Sequence, residues 1–206
     1  ESATVGTLFS EYMGLNDIIF ELKVTPNRAD CLSHLGLARE LSALLDRPLK
    51  LPDRSVETTS KSTETLASIH LNNNEMCPRY AGRAVFGVKV GPSPAWLKQS
   101  LEKIGLNSIN NVVDVTNFVM MEYGQPLHAF DANFLQGKKI IIDNSHQNEK
   151  FITLDGTELQ LTGEELTIRD SETAVALAGV IGGKSSGVSE ATENIFIESA
   201  YFTASS

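Results

Sequence analysis

The chain has 206 residues, 41% of them hydrophobic and 21% charged, which is enough to bury a sizeable core and excludes wholesale disorder or a fibre. A formal net charge of −9 argues against this piece gripping nucleic acid unaided, because phosphate binding needs clustered Lys and Arg. No apolar run approaches the roughly 18–20 residues of a membrane span, no signal peptide opens the chain, and with Glu1 in place of an initiator Met a fragment of a longer protein is expected.

Residues 17–24, DIIFELKV, are rich in Ile, Phe and Val and predict a strand. TPNRAD follows as a turn, and Asp30 is placed to cap a helix whose apolar positions Leu32, Leu35, Ala38, Leu41, Leu44 and Leu45 recur at three and four, up to Pro48. The two cysteines, Cys31 and Cys77, stand in no metal-ligand spacing and are expected as reduced thiols of a cytoplasmic protein. A strand, turn and helix are too little for a domain, so residues 1–51 read as the edge of a neighbouring one. Residues 52–66, DRSVETTSKSTETLA, are polar and aperiodic and read as a linker.

Past the linker, residues 67–206 read as one unit. SIHL and RYAGRAVFGVKV predict strands, with Gly82 and Gly87 marking bulges or close backbone contacts. Ser93 and Pro94 open a helix with Trp96, Leu97, Leu101 and Ile104 as its buried stripe, closed by Gly105. A second helix over 109–123 buries Val112, Val113, Val115 or Thr116, Val119 and Met120, and stops at Gly124 with Pro126 two residues on. From Lys138 the period changes to two. KIIID, KFITL, ELQLT, LTIRD, TAVALAG and NIFIESAYF predict strands, with Asp155-Gly156 as a hairpin turn. There is no internal repeat. The pattern predicts an α+β fold, with mostly antiparallel sheets in a sandwich-like core flanked by helices.

Three places carry candidate chemistry. His128 follows the rigid Pro126 on backbone expected to be exposed, and an imidazole can donate or accept a proton near neutral pH; packing alone is its bland alternative. Asp131 either orients it or caps a turn. Asn117, in the helix interior, has mediocre propensity there, so either a partner rewards its amide or it faces solvent. AGVIGG, residues 178–183, lets backbone approach a ligand through Gly179, Gly182 and Gly183, or is simply a tight turn. Glu198 interrupts an apolar strand on the side of Phe196 and Ala200. If Phe196 faces the core the carboxylate does too, and it then needs a partner such as a ligand hydroxyl or backbone N–H groups. No zinc-protease, serine-hydrolase, kinase or phosphate-loop motif is present.

TPNRADCLSHLGLARELSALL, INNVVDVTNFVMMEYGQPLHAFD, ALAGVIGG and IFIESAYF, in that order, resemble the β subunit of bacterial phenylalanyl-tRNA synthetases over nearly the whole chain. The chain is similar to the B3/B4 region of that subunit, preceded by the tail of its B1 domain. The resemblance implies an editing module that hydrolyses tyrosine misattached to tRNA(Phe), with the ligase reaction on the α subunit of an (αβ)2 heterotetramer. It implies Asn117 and His128 as catalytic residues. The substrate would be bound by Ala178, Gly179, Gly182 and Glu198, the last reading the tyrosine hydroxyl. No metal or cofactor is expected in this segment, while the parent enzyme is expected to use ATP and magnesium. The family's pocket continues beyond Ser206, so an incomplete wall is expected here. Two rivals stand beside this reading: a non-catalytic brace of the β subunit, and a free-standing deacylase acting on tRNA in trans.

Overall fold

Three-and-four spacing before Gly124 and alternation after Lys138 resolve into an α+β architecture in the computed structural model, which describes residues 4–204. The first and last residues of the expected segments, 1–3 and 205–206, lie outside the described residues. In chain order come helices α1 (Phe9–Tyr12) and α2 (His34–Leu45), strands β1 (Ser68–Leu71) and β2 (Arg79–Phe86), and helices α3 (Ala95–Lys103) and α4 (Asn111–Tyr123). Strands β3 (His128–Asp131), β4 (Lys139–Asn144), β5 (Lys150–Ile152), β6 (Glu158–Gln160), β7 (Leu166–Arg169), β8 (Ala174–Leu177), β9 (Ile181–Gly182) and β10 (Asn194–Tyr201) follow.

The strands form a five-stranded sheet in the order β1-β4-β7-β8-β9, a three-stranded sheet β2-β10-β3 and the hairpin β5-β6. Among the described residues only β1 and β4 pair in parallel; the other pairings are antiparallel. Phe130 and Phe196 from the smaller sheet pack with Ile140, Ile142, Ile168 and Val175 from the larger one, so the core lies between two facing sheets. The opposite face of the smaller sheet is also covered. Val112 of α4 packs there against Ala129 and Ile195. Period-two alternation along β10 divides its side chains between these two layers: Ile195 and Ile197 toward α4, Phe196 and Glu198 toward the larger sheet.

Several expectations are corrected. Residues 17–24 form no strand: among the described residues no other strand pairs with them, and Ile18 and Phe20 are exposed. The cap of α2 is Ser33, whose hydroxyl accepts from Gly36 N at 3.1 Å. Asp30 is held by the Arg28 guanidinium at 3.0 Å, within a 3-10 turn, and cannot cap. The apolar stripe of α2 is bare at Leu41, Leu44 and Leu45, since α2 meets α4 while no described residue covers that end. Ser93 does not cap α3 either. Its hydroxyl donates to Asp114, a fully buried carboxylate that also accepts from Ser108 Oγ and Ile109 N and so ties the start of α4 to the segment before α3. Leu97 and Leu101 are buried on α3 as expected, but Trp96 and Ile104 are exposed, and on α4 it is Thr116 that is buried, not Val115.

Candidate functional site

The turn between α4 and β3 sets one corner of the site. Gly124 ends α4 in the left-handed region, φ 81°, and its N–H bonds Met120 O at 2.8 Å. Gln125 Nε2 then donates to Ala200 O at 3.1 Å, which pins the turn to β10. The next strand opens at His128, directly opposite Glu198. His128 is thus half-buried on a paired strand, not on exposed backbone as expected from sequence. Its ring meets Phe130 edge-on, with centroids 4.5 Å apart. Nε2 is buried and, among the described residues, has no hydrogen-bond partner. Burial lowers the imidazole's pKa below its ordinary value, so the ring is neutral at physiological pH.

Glu198 is 7% exposed, as its alternation with Phe196 predicts. One oxygen, Oε2, accepts from the Tyr80 hydroxyl at 2.8 Å. No other hydrogen bond to the carboxyl is formed among the described residues, which leaves Oε1 for whatever enters beside it. Burial pushes the carboxyl up to about 7, with the Tyr80 hydrogen bond opposing the rise. Burial and the neighbouring carboxylate in turn raise the Tyr80 phenol well above its usual range.

The glycine loop closes the other side. Gly179 sits at φ 70° between β8 and β9, where a side chain would be strained. A Cβ at Gly182 would stand 2.6 Å from His128 Cε1 and 2.8 Å from Nε2, so the bare backbone lies flat against the imidazole. Of the expected backbone donors, Ala178 N–H is already committed to Leu166 O at 3.0 Å. Gly179 N–H takes no backbone acceptor among the described residues.

His128, Ala178, Gly179, Gly182 and Glu198 together line one cavity of about 620 Å3, with Phe202 as a further wall. Asn117 is not brought to it. It lies on α4, which packs on the other face of the β2-β10-β3 sheet, whereas His128 and Glu198 project from the face toward the larger sheet. Asp131 does not orient His128 either: it is buried, accepts from Asn133 N at 2.9 Å and from Thr192 Oγ1 at 2.6 Å, and so ties two loops together. Two contributors escape the candidate set, Tyr80 and Phe202. The available signal for Tyr80 is its place on the inward face of β2 with Gly82 and Ala84, where a phenol needs a partner.

The arrangement offers a neutral ring nitrogen, a carboxyl poised near neutrality and a backbone N–H around one cavity. These can read a hydroxyl and position a water. Among the described residues no group of three or more His, Cys, Asp or Glu could hold a metal ion, and no helix is long and apolar enough to cross a membrane. Cys31 and Cys77 are free and buried.

Comparison with known proteins gives a consistent picture. The family model described as B3/4 domain matches residues 76–206. The phenylalanine–tRNA ligase β subunit of Bdellovibrio bacteriovorus is 60% identical over 97% of this chain, and that of Fusobacterium nucleatum is 50% identical over 98%. The chain spans about a quarter of the length of these curated relatives, 25% in each case. An N-terminal fragment of the phenylalanyl-tRNA synthetase β-subunit from Pyrococcus horikoshii shares the fold, with a TM-score of 0.50 at 17% identity, over 86% of this chain and 54% of that one. The chain belongs to the B3/4 domain family, in the form carried by phenylalanine–tRNA ligase β subunits.

Proposed function

We propose that this segment is the editing module of a phenylalanine–tRNA ligase β subunit and hydrolyses tyrosine wrongly esterified to tRNA(Phe). The observation that carries the reading is Glu198: a buried carboxyl, one oxygen satisfied by Tyr80, facing a cavity that also holds an unpartnered imidazole nitrogen. Such a group rewards a substrate phenol and is left unpaired by phenylalanine, which is the selectivity that clearance of tyrosine requires.

In the reaction a water adds to the ester carbonyl, the bond to the terminal ribose oxygen breaks, and tyrosine leaves as its carboxylate, one proton of the water passing to the ribose oxygen and the other to solvent. His128 Nε2 orients the water or the ribose, and Gly179 N–H serves the developing oxyanion. The tRNA's own ribose hydroxyl shares the work of the base. Asn117, which does not line the cavity, has no part in this reading. With a net charge of −9, the segment relies on the remainder of a cytoplasmic (αβ)2 enzyme to dock tRNA. Amino-acid activation with ATP and magnesium belongs to the α subunit.

Deacylation of tyrosyl-tRNA(Phe) by the full synthetase tests this, with phenylalanyl-tRNA(Phe) as control. Glu198→Ala should lower the preference for the tyrosyl ester by about 10–100-fold, the worth of a hydrogen bond to a charged group. His128→Ala should slow both esters. Unchanged clearance in both variants would favour a non-catalytic brace.

A further inference from the structure

Glu198 is held by a residue that no local motif singles out. β10 runs antiparallel to β2 with Glu198 opposite Gly82 and Ala200 opposite Tyr80. Gly82 is bare because the Phe196 ring lies over it; a Cβ there would stand 2.0 Å from that ring. Glu198 therefore has no side chain directly across from it on β2, and the diagonal residue Tyr80 reaches it instead. The Tyr80 hydroxyl donates to Oε2 at 2.8 Å while its ring packs against the core between the sheets. On the β3 side the opposite residue is His128, whose Nε2 bonds nothing among the described residues and so does not hold the carboxyl.

We propose that Tyr80 is the positioning residue for specificity: by holding Oε2 it fixes the Glu198 carboxyl so that Oε1 alone is presented to a substrate phenol. This rests on the editing reading above. A carboxyl with both oxygens free can turn and satisfy itself elsewhere in the cavity, and the penalty for a substrate lacking the hydroxyl then falls. The titratable groups facing Glu198 are the Tyr80 phenol, the Cys77 thiol and the His128 imidazole. Of these Tyr80 is the one that bonds it, and the bond favours the ionised carboxylate.

The experiment is deacylation of tyrosyl- and phenylalanyl-tRNA(Phe) by the full synthetase across pH, for wild type, Tyr80→Phe, Glu198→Ala and the double variant. Tyr80→Phe should lower the tyrosyl preference roughly tenfold, the worth of one hydrogen bond to a charged group. The wild-type preference should rise with pH as Glu198 ionises, and Tyr80→Phe should move that rise to higher pH. On the Glu198→Ala background the Tyr80 substitution should have no further effect on preference. If Tyr80→Phe folds poorly, 3-fluorotyrosine in place of Tyr80 keeps the shape, strengthens the donor and should move the rise to lower pH. Equal slowing of both esters with an unmoved pH profile would overturn the proposal, as would an undiminished Tyr80 effect without Glu198. If wild type prefers the tyrosyl ester and Tyr80→Phe keeps the full preference, only the role of Tyr80 falls. If wild type clears both esters alike, the editing reading fails and this proposal with it.

Discussion

Gly182→Ala tests the closest contact in the site. Gly182 lies in strand β9, so an added methyl introduces no dihedral strain and the effect is one of space alone. The new Cβ would stand 2.6 Å from His128 Cε1 and 2.9 Å from Leu154 Cδ1, where ordinary contact begins at 3.4 Å. Leu154 can turn aside. The His128 ring is wedged between Gly182 and Phe130 and must retreat by about 0.8 Å, the gap between 2.6 and 3.4 Å. Overpacking of this kind costs about 2 kcal/mol, which for a domain of this size lowers Tm by ~4–8 °C. Misplacing a catalytic group by nearly an ångström costs up to ~100-fold in rate. Deacylation of the tyrosyl ester should therefore fall by one to two orders of magnitude on this estimate, well beyond what the modest loss of stability explains. Gly91→Ala is the control, since a Cβ there meets nothing within 4 Å. If Gly182→Ala melts with the Gly91→Ala control and deacylates at the wild-type rate, the close packing of loop and imidazole does not govern the site.

Glu198→Gln addresses pH. Burial raises the folded carboxyl from its ordinary 4.5 to about 7, so the folded state binds more protons across that window. Its contribution is fully present below pH 4.5 and is lost as the pH rises through about 7. Urea melts should show wild type losing stability over that interval and Glu198→Gln escaping the loss; parallel curves would count against a buried, titrating carboxyl. Arg169→Met addresses the buried ion pair with Glu149, N to O 2.6 Å. Burial alone would raise the Glu149 carboxyl, but Arg169 together with the N–H groups of His146 and Ala174 brings it to about 2. Removing the guanidinium leaves a buried charge uncompensated and should cost about 3–5 kcal/mol at neutral pH. That advantage of wild type is present above the ordinary carboxylate range and should disappear as pH falls through about 2.

How much of the fold local patterns foretell depends on whether an element's partner is local. β5–β6 and β7–β8 follow from alternation, the first also from Asp155-Gly156, because a hairpin brings its own neighbour within a few residues. Residues 17–24 have the same composition as a strand and form none, since a strand is defined by a pairing that composition does not contain. Caps fail for a related reason. Asp30 and Ser93 both precede helices, but Arg28 captures one and Asp114 the other. A polar side chain near a helix start serves whichever donor or acceptor the tertiary structure brings closest.

The site divides along the same line. Glu198 is legible because period two carries it to the side of Phe196, and a carboxylate on that side must find a partner. The glycines of the 178–183 loop are legible because missing side chains mean close approach, although only the fold shows that what approaches Gly182 is His128. Asn117 shows the limit. Eleven residues before His128 it lies in the same motif, yet a helix and the strand that follows it can cover opposite faces of one sheet, and here they do. Tyr80 lies 118 residues from Glu198 and meets it through the β2-β10 register. In that register the Phe196 ring lies over Gly82, where a Cβ would stand 2.0 Å from it. The side chain that bonds the carboxyl thus stands diagonally across the sheet on a distant strand, and a search confined to the motif around Glu198 has no means of finding it.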